Sequence, residues 1–439
     1  MLWKNQYGEL ILMPHLQTGF HPKLVSSWRD DYDFAKFKAD MLAALTVAIV
    51  ALPLSMAIAI ASHVSPERGL YTAIIGGFFI SALGGSRFQI GGPAGAFIVL
   101  VASIVDSKGL DGLFLATMMA GAILFAVGIS GLGRFIRYVP HAVTVGFTAG
   151  IAVIIFASQI KDLFGLKLAS AEPAALVAKL GALATASGTL NFMALGIAGA
   201  SIALISMLRI YRPQWPGLLI AVCLASVAAL LIPGATETIA SRFGGIPSNL
   251  PMPHLPEISG HRLIELLPSA LSLALLGGIE SLLSAIVADS MSGRKHRTST
   301  ELMGQGIANI VSALFGGIVA TGTIARTATN VKAGAKSPIS GMLHSVFLLL
   351  FMLVAAPLAG YIPLAALAAI LALVCWNMVE KPEIERLFKN APREALVMAA
   401  TFLLTIFVDL TTGIGAGVVL AFLLGPKEFL RGPKHHHQP

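Results

Sequence analysis

Residues 316–338, GGIVATGTIARTATNVKAGAKSP, and residues 84–101, GGSRFQIGGPAGAFIVLV, lie deep in an apolar chain, yet neither reads as an ordinary membrane span. In each, a Gly-Gly pair precedes a short extended segment, 87–90 or 318–321. Eight residues after the second glycine a helix can begin, at Pro93 in one stretch and at Ala325 in the other. The helices so opened, 93–105 and 325–335, fall short of the ~20 residues that cross a bilayer. Two interrupted segments at matching places in the two halves of a chain point to a transporter's binding site.

Composition sets the class. Of 439 residues, 56% are hydrophobic and 12% charged, against ~25% charged in soluble domains. The apolar runs approach or exceed about 18 residues, as transmembrane helices require. The net charge of +8 is spread over short loops, which argues against a nucleic-acid patch. Cys223 and Cys375 lie within apolar runs, with neither CxxC nor metal spacing. Residues 413–417, GIGAG, mimic part of a dinucleotide loop, but no strand precedes them, so close helix packing is the reading. Nothing resembles a catalytic triad, a metal cluster or a P-loop, so neither an enzyme nor a cofactor is expected.

Working outward, residues 1–38 form a polar, mixed arm with Trp3 and Trp28, expected on the cytoplasmic surface. Spans follow at 39–62, 69–84, 93–105, 111–130, 139–159, 190–209 and 216–233. A polar external loop, 234–262, precedes a second set at 263–289, 301–316, 325–335, 339–358, 362–378, 395–410 and 412–425. Residues 426–439 are a cytoplasmic tail. The expected fold is therefore an all-α polytopic membrane protein of fourteen segments. Seven segments per half make the two repeats inverted, with the half-helices third and tenth. An internal echo supports the repeat: Ser81-Ala82-Leu83-Gly84-Gly85 against Ser312-Ala313-Leu314-Phe315-Gly316-Gly317. Lysine and arginine favour one side of the loops, seventeen against seven, which puts both termini in the cytoplasm.

A broken helix survives in hydrocarbon only inside protein or beside water. Its first N–H groups are unpaired and its dipole places partial positive charge there, so two facing starts form an anion cradle. Pro93 suits the first helical position. Ala94, Gly95, Arg326 and Thr327 would offer free amides, and Phe97 and Ala325 complete the candidate contacts at the two starts. An intramembrane arginine such as Arg326 is itself a functional-site hypothesis. Glu280, inside a span, reads either as a permanently ionised partner for Arg326 or as a proton carrier. His141 and His344 read as packing residues and Asp409 as a turn cap.

At these residues the chain resembles the SulP family of anion transporters, relatives of prestin and pendrin. The resemblance rests on Ala51-Leu52-Pro53-Leu54-Ser55-Met56-Ala57 in the first span, on residues 292–341, and on Arg326 at the second short helix. Residues 86–99 and 292–341 look most like the bacterial branch that carries C4-dicarboxylates. The resemblance implies a core domain of segments 1–4 and 8–11, a gate domain of segments 5–7 and 12–14, and elevator-like alternating access. It implies an anion site lined also by Ser55, Met56, Ala57 and Glu280. It further implies homodimers, symport with H⁺ or Na⁺, and a cytoplasmic STAS domain beyond the last span; residues 433–439, PKHHHQP, read as an added tail. Leu54 stands where many relatives have glutamine, and Ala325 where several have serine, which shifts the burden to backbone amides and Arg326. The expected activity is proton-coupled import of a fumarate- or succinate-like dianion through the bilayer. Sulfate or bicarbonate transport, an uncoupled anion channel and a nucleobase permease are the alternatives.

Overall fold

The computed structural model describes residues 2–4, 10–12, 20–29, 32–133, 140–169, 172–173, 175–213, 215–232, 236–408 and 410–424. Arg134, Arg137 and Asp409, to which the sequence assigns loop and capping roles, and the tail beyond 424 lie outside these residues.

Strands β1 (Leu2–Lys4) and β2 (Leu10–Leu12) pair antiparallel at the N-terminus, followed by α1 (Lys23–Arg29). The first repeat begins with α2 (Phe34–Ala61), capped by the Asp33 side chain on the Lys36 N–H. The second span is a single run of α3 (Pro66–Tyr71), a wide π-type turn at Thr72–Gly76, and α4 (Gly77–Leu83). After β3 (Gly91–Gly92), a 3₁₀ turn at Gly95–Phe97 leads into α5 (Ile98–Ser130). Expected spans three and four are joined in α5, yet its backbone breaks at Gly109 (φ 71°, ψ 179°). The half-helix therefore ends there. Helices α6 (His141–Phe164), α7 (Leu176–Thr185), α8 (Phe192–Tyr211) and α9 (Gly217–Leu231) complete the repeat.

The connecting loop holds α10 (Ile239–Phe243), closed by a capping box between Thr238 and Ser241. The second repeat comprises α11 (Gly260–Ser292), α12 (Thr298–Leu314), β4 (Thr321–Gly322), α13 (Ile324–Lys332) and α14 (Ile339–Ala359). It ends with α15 (Leu364–Met378), α16 (Lys381–Asn390), α17 (Pro392–Phe407) and α18 (Leu410–Leu424). The sequence reading missed α7, α10 and α16, which are too short or too polar to register as spans. Seven helical stretches among the described residues are long and apolar enough to cross a bilayer alone. The fold is all-α and polytopic, consistent with fourteen segments in two repeats.

The expected extended segments are displaced by a few residues. The ladder pairs Gly91 with Gly322 and Gly92 with Thr321, antiparallel. It joins the two repeats at their interrupted segments. Two residue pairs cannot hold a sheet by themselves, and buried side chains complete it. Asn309 takes the Ala320 N–H at 2.8 Å and returns a bond to the Ala320 carbonyl at 2.9 Å. The Thr327 hydroxyl receives the Ile90 N–H at 3.1 Å, and the Thr323 N–H reaches the Ile90 carbonyl at 3.0 Å. In this way backbone polar groups of a non-helical strand at membrane depth find protein instead of lipid.

Packing sorts the helices into two groups. Helix α12 lies along α5 and α4, α11 along α5, and α14 along α2 and α4; separately, α17 and α15 lie along α6, α18 along α17, and α8 against α15 and α9. In the first group Asp40 of α2, fully buried, accepts the Lys336 and Ser337 amides at 2.6 and 3.1 Å. Its other oxygen accepts the Ser337 hydroxyl at 2.6 Å and the Tyr32 hydroxyl at 2.7 Å. Burial, and then the Asp40 carboxylate, push the Tyr32 pKa up, so Tyr32 remains a donor. This clamp fixes the loop between α13 and α14. Asp40→Ala is expected to lower unfolding free energy by about 3 kcal/mol, given ~1.5–3 kcal/mol for a bond to a charged group. Thermal unfolding in detergent measures it, and an unchanged midpoint would show that the clamp contributes nothing.

Candidate functional site

Two helix starts face each other across the β3–β4 ladder. At the first, Ala94 is extended (φ −123°, ψ 147°) and the helix opens at Gly95. Pro93 therefore does not occupy the first helical position, as its sequence context suggests. It lies in the extended lead-in, where its carbonyl accepts from Arg326 Nη2 at 3.3 Å. At the second start Thr323 is the extended cap residue and α13 opens at Ile324, so Arg326 sits in the first turn. The Thr327 N–H is already bonded to the Thr323 carbonyl at 3.0 Å. The amides at this start are thus those of Ile324, Ala325 and Arg326, not that of Thr327.

Both starts open on a cavity of 400 Å³. One wall comes from α2, the two helix starts and α11: Leu54, Ile58, Pro93, Ala94, Gly95, Ala325, Arg326, Leu276, Ile279 and Glu280 among them. The opposite wall comes from α6, α15 and α18, with Thr144, Phe147, Thr148, Asn377 and Met378 prominent. The lining is mostly apolar. Its full charges are Arg326, Glu280 and Glu380.

Arg326 is only 3% exposed. Nη2 donates to the Ser55 hydroxyl at 3.2 Å and to Pro93, while Nε and Nη1 have no partner. A guanidinium has five N–H donors in a fixed fork, and burying one with donors unmet is costly. Its position depends on Gly92, whose φ is 158°; a Cβ there would lie 2.3 Å from Nη1. Glu280 makes no ion pair with Arg326, so the reading of the two as a fixed structural pair is not what the side chains adopt. Glu280 Oε2 is buried without a partner.

Of the sequence candidates, Ala94, Gly95, Glu280, Ala325 and Arg326 line the cavity. Ser55, Met56, Ala57, Phe97 and Thr327 do not reach it: all five are buried behind its wall. Ser55 instead steadies the arginine, and the Thr327 hydroxyl faces Ile90 and Ser284. His344 is fully buried with neither ring nitrogen bonded, contrary to its reading as a satisfied packing residue. His141 contacts Glu383 at 2.9 Å. Sequence reasoning passed over Glu301 and Asp40, whose carboxylates are fully buried within α12 and α2, whereas Glu280 is half-buried. A signal existed: Glu301, Gln305 and Asn309 recur every four residues, a polar stripe on one face of an apolar helix. The wall from α6 and α15 carried no such mark.

Residues 37–401 match the profile of the sulfate permease family. The chain is 44% identical over 408 residues to the putative sulfate transporter YvdB of Bacillus subtilis (strain 168), covering 93% of this chain and 77% of that protein. It is 31% identical over 402 residues to the bicarbonate transporter BicA of Picosynechococcus sp., covering 89% and 70%. Among solved structures, the transmembrane domain of a cyanobacterial BicA superposes with a TM-score of 0.79 at 31% identity, covering 88% of this chain and 99% of that one. SLC26A9 superposes at 0.82 with 20% identity, covering 91% and 67%, which speaks to fold alone.

Two glycines of the first interrupted segment test the position of the guanidinium. Gly92→Ala drives a Cβ against Arg326 Nη1, whereas at Gly95 the nearest atom would be Met378 Sδ at an ordinary 3.5 Å. Gly92→Ala is expected to cut anion uptake by about tenfold or more, since ~1 Å of misplacement is that costly. Gly95→Ala, whose methyl meets no protein atom closer than 3.5 Å, should lose less than Gly92→Ala. Equal uptake by both variants would mean that the guanidinium's position is unimportant.

Proposed function

The chain belongs to the sulfate permease family of anion transporters, and from that premise we propose that it carries a small oxyanion, sulfate or bicarbonate, with a proton by alternating access. One observation carries the reading: the buried Arg326 guanidinium, with Nε and Nη1 unpartnered, stands between two helix starts at a cavity. An oxyanion there accepts from the guanidinium and from the first amides of α13 and of the Gly95 turn. Main-chain N–H groups, a helix dipole and a fixed charge all favour it.

The charge balance motivates proton coupling. Arg326 and an ionised Glu280 sum to zero, so an incoming anion leaves the site negative in a medium of low dielectric. Protonating Glu280 restores neutrality for a monoanion and halves the deficit for a dianion. Glu280 is thus proposed as the proton carrier, with Na⁺ the alternative coupling ion.

The two packing groups are proposed as core and gate. The α2, α5, α11–α14 group carries both helix starts and would move past the α6, α15, α17, α18 group. The cavity reaches Val143 and Thr144 on α6 and Asn377 and Met378 on α15, at helix ends that the lysine and arginine distribution assigns to the cytoplasm. That supports an inward-facing conformation. A homodimer in the bacterial inner membrane with both termini cytoplasmic completes the proposal.

A second reading, a C4-dicarboxylate, is favoured by the apolar lining of Leu54, Ile58, Phe147, Leu276 and Ile279, which would suit a hydrocarbon linker between two carboxylates. Proteoliposomes separate the readings. Labelled sulfate, bicarbonate and succinate are offered under an imposed pH step, with a Na⁺ gradient as control. The proposal expects accumulation of sulfate or bicarbonate above equilibrium when protons run inward. Accumulation of succinate alone selects the second reading, and mere equilibration of any anion indicates a channel and overturns coupling.

Two variants probe the site in the same vesicles. Arg326→Ala is expected to lower uptake by about a hundredfold, two charge-assisted bonds at ~1.5–3 kcal/mol each, while the protein stays monodisperse. Glu280→Gln should retain anion exchange but lose accumulation driven by the pH step. Normal accumulation by Glu280→Gln would remove that residue from the coupling scheme.

A further inference from the structure

Glu301 and Arg68 sit in the opening turns of matching helices, α12 and α3, each running toward the Gly-Gly pair of its own repeat. Neither serves its own pair. The Glu301 carboxylate, fully buried, accepts the N–H groups of Gly85 and Ser86 through Oε2 at 2.8 and 2.9 Å. The Arg68 guanidinium donates from Nη1 to the Gly316 carbonyl at 3.0 Å and lies over the Phe114 ring at 5.3 Å. One turn after Arg68, the Thr72 hydroxyl receives the Ile318 N–H at 2.7 Å.

The glycines record the same crossing. A Cβ at Gly84 would lie 2.9 Å from Glu301 Oε2, and one at Gly85 would lie 2.9 Å from the Glu301 nitrogen. At Gly316 it would lie 2.2 Å from Arg68 Nη1. Each Gly-Gly pair is the place where the other repeat's charged anchor comes against the backbone. The chemistry is complementary: a carboxylate for amides at one root, a guanidinium for a carbonyl at the other.

We infer that Glu301 and Arg68 are positioning residues, each holding the root of the extended arm that the opposite repeat contributes to the anion site. The inference rests on the transport reading above for its consequence, though not for its geometry. Between root and helix start run eight residues of the first arm, 87–94, and seven of the second, 317–323, anchored otherwise by the two-pair ladder and by side chains that include Thr72, Ser81, Asn309 and Thr327. Freeing a root lets the helix start, and with it the amides facing the cavity, shift against Arg326. Glu301 has a second link: Ser281 Oγ, 3.4 Å from Glu301 Oε1, also receives Gln89 Nε2 at 2.6 Å. Ser281 is the neighbour of Glu280, so the same carboxylate ties the first arm to the helix that bears the site's own acid.

The test is crossed. Glu301→Ala and Arg68→Gln are purified in detergent and followed by hydrogen exchange on peptides covering 84–97 and 316–327. Glu301→Ala is expected to speed exchange about tenfold in 84–97 and leave 316–327 unchanged, and Arg68→Gln the reverse, a loss of local protection rather than of the fold. In proteoliposomes each variant should raise KM about tenfold, the order of one lost charged bond, with maximal rate within about twofold. Glu301→Gln, which keeps one acceptor oxygen, should show the same arm-selective change at smaller size, and it decides the matter if Glu301→Ala does not fold. Exchange rising equally in both arms, or in neither, overturns the inference, as does an unchanged KM beside a lowered rate. If the wild type moves no tested anion, the transport reading fails, and the crossed exchange pattern alone still judges the anchors.

Discussion

Unpaired backbone cannot be left in hydrocarbon, and the architecture around residues 84–97 and 316–327 answers that constraint. Two extended arms at membrane depth expose N–H and C=O groups that water would satisfy at a surface. Here they are met by each other in the Gly91–Gly322 ladder, by Asn309 on the Ala320 peptide, and by Thr327 and Thr323 on Ile90. Once the arms are satisfied internally, the helix starts that follow them can keep amides free for a ligand. A binding site made of main chain therefore needs a surrounding polar scaffold that touches no ligand at all.

That division of labour separates the buried polar residues into two kinds. Glu301, Asn309, Thr327 and Ser312 spend their capacity on backbone groups of the arms. Arg326 and Glu280 do not: one keeps two nitrogens and the other an oxygen without partners, and both border the cavity. Buried groups left unmatched are costly, and their retention where a cavity opens supports the proposed position of the anion. Gln89 Oε1, Gln305 Oε1, Asn330 Oδ1 and both His344 ring nitrogens are likewise unmatched but do not border the cavity.

Inverted repeats place like elements in opposite directions, so chemistry equivalent by position need not be equivalent by type. The N-terminal turns of α3 and α12 both meet the root of the partner arm, where α3 brings a cation to a carbonyl and α12 an anion to amides. The serines of the shared Ser-Ala-Leu echo do similar work in both halves. Ser81 Oγ holds the Gln89 carbonyl and Ser312 Oγ the Ile318 carbonyl, at 3.3 and 3.1 Å. The short sequence echo thus survives where its residues bond the arms.

The sequence by itself determined the class, the span count, the two interruptions and the arginine, because each follows from local composition and period: apolar runs, Gly-Gly pairs, and a charge where hydrocarbon should be. It could also have revealed the stripe at 301, 305 and 309, which is a four-residue recurrence. Tertiary structure decided the rest. Which of Ser55, Met56, Ala57, Phe97 and Thr327 faces the cavity depends on helix rotation set by distant neighbours. The start at Gly95 rather than Pro93 depends on Arg326, 233 residues away, taking the proline carbonyl. The far wall of α6 and α15 is ordinary apolar helix until another helix group is packed against it, and no local pattern encodes that meeting.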